Sequence, residues 1–342
     1  MRVAMYYNNR DVQLEEVSRP HIGPGEVLIE VKASGICGSD VMEWYRLPKA
    51  PRVLGHEIAG EIAEVGPGVS RYRVGDRVTA SHHVPCNTCY YCLNGHHTSC
   101  DTLRSTSFHP GGFSEYVRLP AINVDRGLYR VSDDVSDEEA TFTEPLACVL
   151  RAQQRTGFRP GQSVMVIGSG ITGILHINLA RALGARRVVA TDIDAYRLQA
   201  AQRFGADAVV HAGDNVPNGL REANGGMLAD LVIVCAGAPP AIVQSFQCVV
   251  RGGTILFFAP TAPGTVIPFS INDVLWGNDV SITTSYAGSP ADHITALELI
   301  RARRVQVREM ITHRLGLAET GLGFQVVEKA QDSLKVIIEP WR

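Results

Sequence analysis

The sequence predicts an α/β protein of two domains, one strand-rich and irregular, the other a doubly wound parallel sheet. Three observations carry this. The chain has 342 residues, enough for two domains at roughly 150 residues each. From Met1 to about Glu144, short apolar runs are cut by glycine and proline at close spacing, the pattern of strands and turns. From about Thr156 to Ser285, apolar runs alternate with helical patterns through glycine turns, the pattern of repeated βα units.

In the first region, Val27 to Val31 and Glu61 to Val65 read as strands. In the second, Val164 to Ile167 reads as a buried strand, Gly173 to Leu183 as a helix, Arg187 to Thr191 as a strand and Tyr196 to Phe204 as a helix. Leu231 to Cys235 and Thr254 to Phe258 continue the parallel sheet. A helical stretch over His293 to Arg303 and strand-like pieces ending in Ser333 to Ile338 follow, expected to return to the first domain. The expected boundaries are 1–150 completed by 286–342, and 151–285 between them.

Composition excludes several function classes. Hydrophobic residues make up 45% and charged residues 20%, which argues against disorder, collagen and coiled coil. The 32 basic and 35 acidic side chains leave a net charge of −3, so nothing favours nucleic acid or an anionic membrane as partner. A small, roughly neutral partner fits better. No apolar run approaches the ~20 residues of a membrane span, and the N-terminus lacks a signal-peptide pattern. The expectation is a reducing cytoplasm, where grouped cysteines hold metal more often than they form disulfides.

Two cysteine-bearing regions suggest metal. Cys86, Cys89, Cys92 and Cys100 read C-x2-C-x2-C-x7-C, and four thiolates on short spacers complete a closed tetrahedron with no position for substrate. That is a structural zinc, with an iron–sulfur cluster as the rival. Beside four thiols, His82, His83, His96, His97 and His109 read as surface residues. Upstream, GICGSD contains Cys37, Ser39 and Asp40, and GHE contains His56 and Glu57. A thiolate, an imidazole and a carboxylate are the ligand set of a catalytic zinc that keeps one position open. Of the other cysteines, Cys148, Cys235 and Cys248 sit in apolar text and read as buried small hydrophobes.

A phosphate cradle is legible in the second region. Gly168, Gly170 and Gly173 form GSGITG between a strand and a helix, serving a tight turn, close approach to a pyrophosphate and close helix packing. The helix N-terminus offers N–H groups to the phosphates. Asp192 ends the next strand, about 20 residues on, where an acid accepts hydrogen bonds from the adenosine ribose and repels a 2′-phosphate. NAD is therefore favoured over NADP. Arg197 packs on adenine, helps a 2′-phosphate, or is a solvated helix residue.

GHExxGxxxxxGxxV over Gly55 to Val69, GDRV over Gly75 to Val78, GICGSD, the cysteine lobe and GSGITG together resemble the zinc-containing medium-chain alcohol and polyol dehydrogenases, over essentially the whole chain. The resemblance implies a GroES-like catalytic domain, a Rossmann coenzyme domain and an active site in the cleft between them. It implies Cys37, His56 and a carboxylate, Glu57 or Glu144, as catalytic zinc ligands. Glutamate at Glu144 resembles the sorbitol dehydrogenase branch. Ser39 matches the hydroxyl that contacts the substrate oxygen and passes its proton, and Asp40 a carboxylate orienting His56. Thr172, Asp192 and Arg197 match NAD contacts, while Phe258 and Ala259, with Ser285, fall in nicotinamide-side loops. Two departures stand out: Met42 occupies the place of a relay histidine, and Gly38 that of a basic residue on the pyrophosphate.

The reaction so implied is reversible oxidation of a secondary alcohol, a polyol or sugar alcohol, to a ketone with NAD⁺. The alternatives are L-threonine 3-dehydrogenase or another amino-alcohol enzyme, and a non-catalytic NAD-binding structural protein, which predicts damaged metal ligands. The segment FAPTAPGTVIPFSI and Val280 to Tyr286 are expected to form edge strands that pair subunits in a homotetramer or dimer. Trp44, Tyr45, Phe108 and Trp276 are candidates for the substrate pocket or for ordinary core.

Overall fold

The computed structural model describes the whole chain, Met1–Arg342. Two compact units form, one from residues 1–147, 287–303 and 307–342, the other from 148–286 and 304–306.

The first unit is built on a seven-stranded sheet. Its centre is Val27–Gly35, antiparallel to Glu57–Val65 with Gly35 opposite Glu57. Beyond Glu57–Val65 lies Arg77–Ala80. On its other side Lys335–Glu339 pairs antiparallel, with Ile337 opposite Gly35, so the chain's last strand touches its first long one. Apolar residues at alternate positions, Val27, Ile29 and Val31, meet Ile58, Ile62, Val78 and Val117 in one buried cluster. A second cluster gathers Tyr6, Ile36, Phe113, Phe324 and Ile338.

The second unit is a six-stranded, all-parallel sheet. In space the strands run Ala208–His211, Arg187–Asp192, Ser163–Ile167, Ala229–Val234, Val249–Phe257, Ser281–Thr284. This is the order of a Rossmann fold, which places a dinucleotide site where the direction of winding reverses, beside Ser163–Ile167. Ser163–Ile167 is buried throughout, as a strand covered by helices on both faces must be. Helix Ile171–Ala182 follows it directly.

Two expectations are corrected. Residues 258–270 form no strand, because Pro260, Pro263 and Pro268 cannot donate to a ladder; Ser281–Thr284 alone makes the sheet edge. Of the three cysteines read as buried, Cys248 is buried whereas Cys148 and Cys235 are half-buried. Cys235 sits just past the end of the strand Ala229–Val234.

Candidate active site

Cys37 follows the Val27–Gly35 strand, and Glu57 opens the strand paired with it, so sheet register brings GICGSD and GHE together. Cys37, His56 and Glu57 each present one ligand atom, all within 4.8 Å of one another. Glu144, half-buried in the first turn of helix Thr143–Arg155, is not in that group. Local bonds fix the turn at Cys37: its sulfur accepts the Ser39 N–H at 3.4 Å, and Asp40 Oδ2 accepts the Cys37 N–H at 3.1 Å.

Asp40 is fully buried. Its Oδ1 lies 3.4 Å from His56 Nδ1 and accepts Arg46 Nη2 at 3.0 Å. Burial pulls the His56 pKa down, but Asp40's charge and hydrogen bond, with help from Cys37, carry it well above the ordinary imidazole value. Burial pushes Asp40 up, yet His56 and Arg46 hold it below the usual carboxylate range. Arg46 also donates to Ser39 Oγ at 2.8 Å and to the Ser39 carbonyl at 2.9 Å. With one lone pair so occupied, the Ser39 hydroxyl keeps one acceptor position and its own proton.

Glu57 Oε2 is ion-paired with Lys335 Nζ, both side chains fully buried. Lys335 also donates to the Ile36 carbonyl at 3.2 Å and stands over the Phe142 ring. Glu57 Oε1 is buried with no hydrogen-bond partner. An open carboxylate oxygen beside a thiol and an imidazole is a donor set that zinc accepts, so these residues fit the metal. No motif or spacing in the sequence points to Lys335 or Arg46. A lone lysine inside the apolar run LKVII was the available signal for the first; the second had none.

His82 and His83 are half-buried, a correction to their surface reading. The His82 ring lies 4.8 Å from that of His56 and 3.8 Å from that of His83, and its Nδ1 is buried without a partner. Burial, then the neighbouring imidazoles, push its pKa well below the ordinary value. Burial takes His83 to about 4. Both follow the buried Arg77–Ala80 strand, which directs the chain inward before the cysteine lobe. His96 and His109 are exposed and His97 is half-buried.

In the lobe, Cys86, Cys89, Cys92 and Cys100 bring their sulfurs within 4.8 Å of one another. The Cys89–Cys92 and Cys86–Cys92 sulfur separations are 3.6 and 4.0 Å, bracketing the about 3.8 Å edge of a tetrahedron with 2.3 Å zinc–sulfur bonds. N–H groups of Thr88 and Cys89 point at Cys86 Sγ, and the Thr88 backbone and hydroxyl bonds bring that thiol down to about 5. The remaining apolar support is Leu103 and Ala287, so the fold alone does little to hold this loop. The residues fit a structural zinc.

In the second unit, Gly168 takes φ +94°, a left-handed conformation suited to glycine. A Cβ on Gly173 would fall 1.9 Å from the Gly168 carbonyl oxygen, so the helix can start only with glycine there. At Gly170 a Cβ would meet nothing nearer than the Arg197 guanidinium at 3.8 Å, leaving the cradle open for a phosphate with Arg197 at its side. Asp192 Oδ2 accepts the Ser169 N–H at 2.7 Å, and Oδ1 accepts the Asp194 N–H at 3.0 Å, so one carboxylate ties the glycine loop to the next helix and retains lone pairs for a ribose. Thr172 is half-buried in the first helical turn. The N–H groups of Phe258 and Ala259 both bond to the Val234 carbonyl, at 3.0 and 3.1 Å, and Ser285 Oγ is buried without a partner.

The aromatic pocket candidates divide. Phe108 is core, Tyr45 is half-buried between Arg46 and Lys49, and Trp44 and Trp276 are exposed, the latter by 82%.

Residues 23–126 match the family described as "Alcohol dehydrogenase GroES-like domain", and residues 172–302 match "Zinc-binding dehydrogenase". Sorbitol dehydrogenase of Bacillus subtilis (strain 168) is 28% identical over 355 residues, covering 100% of this chain and 98% of that protein. L-threonine 3-dehydrogenase of Sinorhizobium medicae (strain WSM419) is 32% identical over 334 residues, covering 95% and 94%. A solved structure described as a zinc-binding dehydrogenase from Sinorhizobium meliloti 1021 bound to NADP superposes with a TM-score of 0.89 at 27% identity, covering 99% of each chain. The metal-ligand group, the cysteine lobe, the Rossmann sheet and these matches place the chain in the zinc-binding, medium-chain alcohol dehydrogenase family of oxidoreductases.

Proposed function

We propose that this dehydrogenase reversibly oxidises a secondary alcohol of a polyol or sugar alcohol to a ketone with NAD⁺. The observation that carries the reading is the close group of Cys37, His56 and Glu57 with the Ser39 hydroxyl on the same turn. Zinc supplies Lewis acidity toward the alcohol oxygen and NAD⁺ accepts the hydride. Cys37, His56 and Glu57 would hold the metal, with Glu144 the alternative carboxylate, and Asp40 orients His56. Ser39 Oγ takes the substrate proton as its own proton leaves, and Arg46 fixes its direction. Met42 has no group that carries a proton, so the onward path runs through other atoms.

In this reading, residues 1–150 with 286–342 do the chemistry and 151–285 hold the coenzyme through Gly168, Gly170, Thr172, Gly173, Asp192, Arg197, Phe258, Ala259 and Ser285. The Asp192 carboxylate at the ribose end supports NAD over NADP. Cys86, Cys89, Cys92 and Cys100 would hold a structural zinc. Eight free cysteines suit a reducing cytoplasm, and no helix is long and apolar enough to cross a membrane. The edge strand Ser281–Thr284, with Ile271 and Trp276 exposed in the same region, supports pairing of copies into a dimer or tetramer; light scattering tests this, and a monomer would remove it.

Amino-alcohol oxidation is the second reading, supported by the 32% identity to L-threonine 3-dehydrogenase. Initial rates with polyols, simple secondary alcohols and threonine, each with NAD⁺ and NADP⁺, decide between them. Polyol turnover with NAD⁺ is expected; faster threonine turnover would replace the first reading by the second.

A further inference from the structure

The second unit buries a polar pair that the function proposed above does not use. Gln153, in helix Thr143–Arg155, and His176, in helix Ile171–Ala182, are both buried. The Gln153 amide nitrogen donates to the His176 carbonyl at 2.9 Å and lies 3.1 Å from His176 Nδ1. A backbone carbonyl only accepts, so this contact fixes which end of the amide faces the histidine, and Nδ1 becomes the acceptor for its second N–H. The ring proton is thereby left on Nε2, which is buried with no hydrogen-bond partner. Burial takes the His176 pKa to about 3, so the ring is neutral.

The His176 ring meets the Phe258 ring at 86°, with centroids 4.7 Å apart. Such an edge-to-face pair is directional, unlike general apolar contact. Phe258 is half-buried and directly follows the strand Val249–Phe257. It therefore stands at the carboxyl end of the parallel sheet, where a Rossmann fold binds its ligand. The N–H groups of Phe258 and Ala259 share one acceptor, the Val234 carbonyl, so the ring contact is a further tether on this segment. Thr172, one helical turn before His176 and on the same face, hydrogen-bonds Cys235, the residue after Val234. One face of the helix thus supports the ends of two neighbouring strands, and His176 is the part that reaches Phe258. A leucine would fill the same space without burying an unpaired N–H, so imidazole is the less stable choice there.

We propose that His176, held by Gln153 as the neutral Nε2-protonated tautomer, is a positioning residue that seats the Phe258 ring and so sets the 258–259 backbone for the nicotinamide half of the coenzyme. This rests on the NAD reading above, in which Phe258 and Ala259 face that half. Being fully buried, His176 acts through Phe258 and raises the fraction of molecules whose coenzyme segment is already in place.

The test is equilibrium binding of NAD⁺ and of ADP-ribose, which lacks the nicotinamide, to the wild type and to His176→Ala, His176→Phe and Gln153→Met. His176→Ala should weaken NAD⁺ binding about 3–10-fold, the span of an edge-to-face aromatic pair, and leave ADP-ribose binding unchanged. His176→Phe keeps a ring edge and should recover most of the loss. Gln153→Met frees the tautomer and should lose part of the NAD⁺ affinity; nitrogen NMR of the His176 ring should show the proton on Nε2 alone in the wild type and on both nitrogens in this variant. In a Phe258→Leu background, His176→Ala should have no further effect, as coupled residues require. A merely structural role would lower thermal stability without separating the two ligands. If His176→Ala does not fold, Gln153→Met carries the same comparison. Equal loss of both ligands, loss of neither, or a wild-type ring proton on Nδ1 overturns the proposal and leaves the NAD reading standing. If NADP⁺ alone binds, 2′-phospho-ADP-ribose replaces ADP-ribose; a wild type that binds neither coenzyme overturns the NAD reading and the proposal together.

Discussion

Lys335 and Glu57 form a buried ion pair across 278 residues of sequence, in a space that exists because residue 35 is glycine. A Cβ there would lie 2.3 Å from Glu57 Oε2 and 2.7 Å from Lys335 Cε. The strands carrying the two residues flank Val27–Gly35 on either side, so the pair bridges the sheet beside Cys37 and His56.

Removing Lys335 leaves a buried carboxylate uncompensated. Lys335→Met should cost about 3–5 kcal/mol in the metal-free protein. Zinc should recover part of this by binding the released Glu57 oxygen. Thermal unfolding with and without zinc measures both, and a loss below about 1 kcal/mol without zinc would contradict the uncompensated charge.

Arg46 makes three bonds that a smaller or neutral group cannot reproduce. Arg46→Gln should lower kcat by about 10–100-fold, the worth of a positioned charge-assisted bond, with zinc content unchanged. Arg46→Lys should recover only part, since an ammonium lacks the fork. Unaltered kcat in Arg46→Gln would show that Ser39 needs no orientation.

Asp40 sets the protonation of His56. In metal-free protein the raised folded pKa means that the His56–Asp40 pair contributes fully below the ordinary value of 6.5 and is lost as pH rises through the elevated folded value. Protons then compete with zinc for His56, so metal affinity should fall on acidification. Asp40→Asn removes the largest influence that raises His56 and should move its titration down. Histidine ring titration by NMR reads this directly, and an unmoved His56 would show that Asp40 is not the cause.

The cysteine lobe has little apolar support besides Leu103 and Ala287. Cys100→Ser should lower bound zinc by about one ion per chain, because a structural site needs all four thiolates. The same change should open residues 86–105 to proteolysis while the Rossmann sheet stays folded. Retention of full zinc would place the metal on other ligands.

Asp192 holds both the Ser169 and the Asp194 N–H groups. Asp192→Ser should weaken NAD⁺ binding by about tenfold or more, since hydrogen bonds to the carboxylate are lost. Removal of its negative charge should also narrow the preference over NADP⁺. Coenzyme fluorescence titration measures the ratio, and a preserved preference would remove Asp192 from coenzyme selection.

The features legible in the sequence act at short range. C-x2-C-x2-C-x7-C, GSGITG and the alternation of βα units need only local spacing and glycine conformation, and the lobe, the cradle and the parallel sheet formed where those patterns stand. GICGSD and GHE named Cys37, His56 and Glu57, although the pairing that joins them is a matter of strand register. The tertiary structure decided which partners these groups have: Lys335 on Glu57, Arg46 on Ser39 and Asp40, and His82 against His56 rather than at the surface. Such partnerships depend on sheet order, on a missing Cβ at Gly35 and on which carboxylate oxygens are already taken, none of which a one-dimensional spacing encodes.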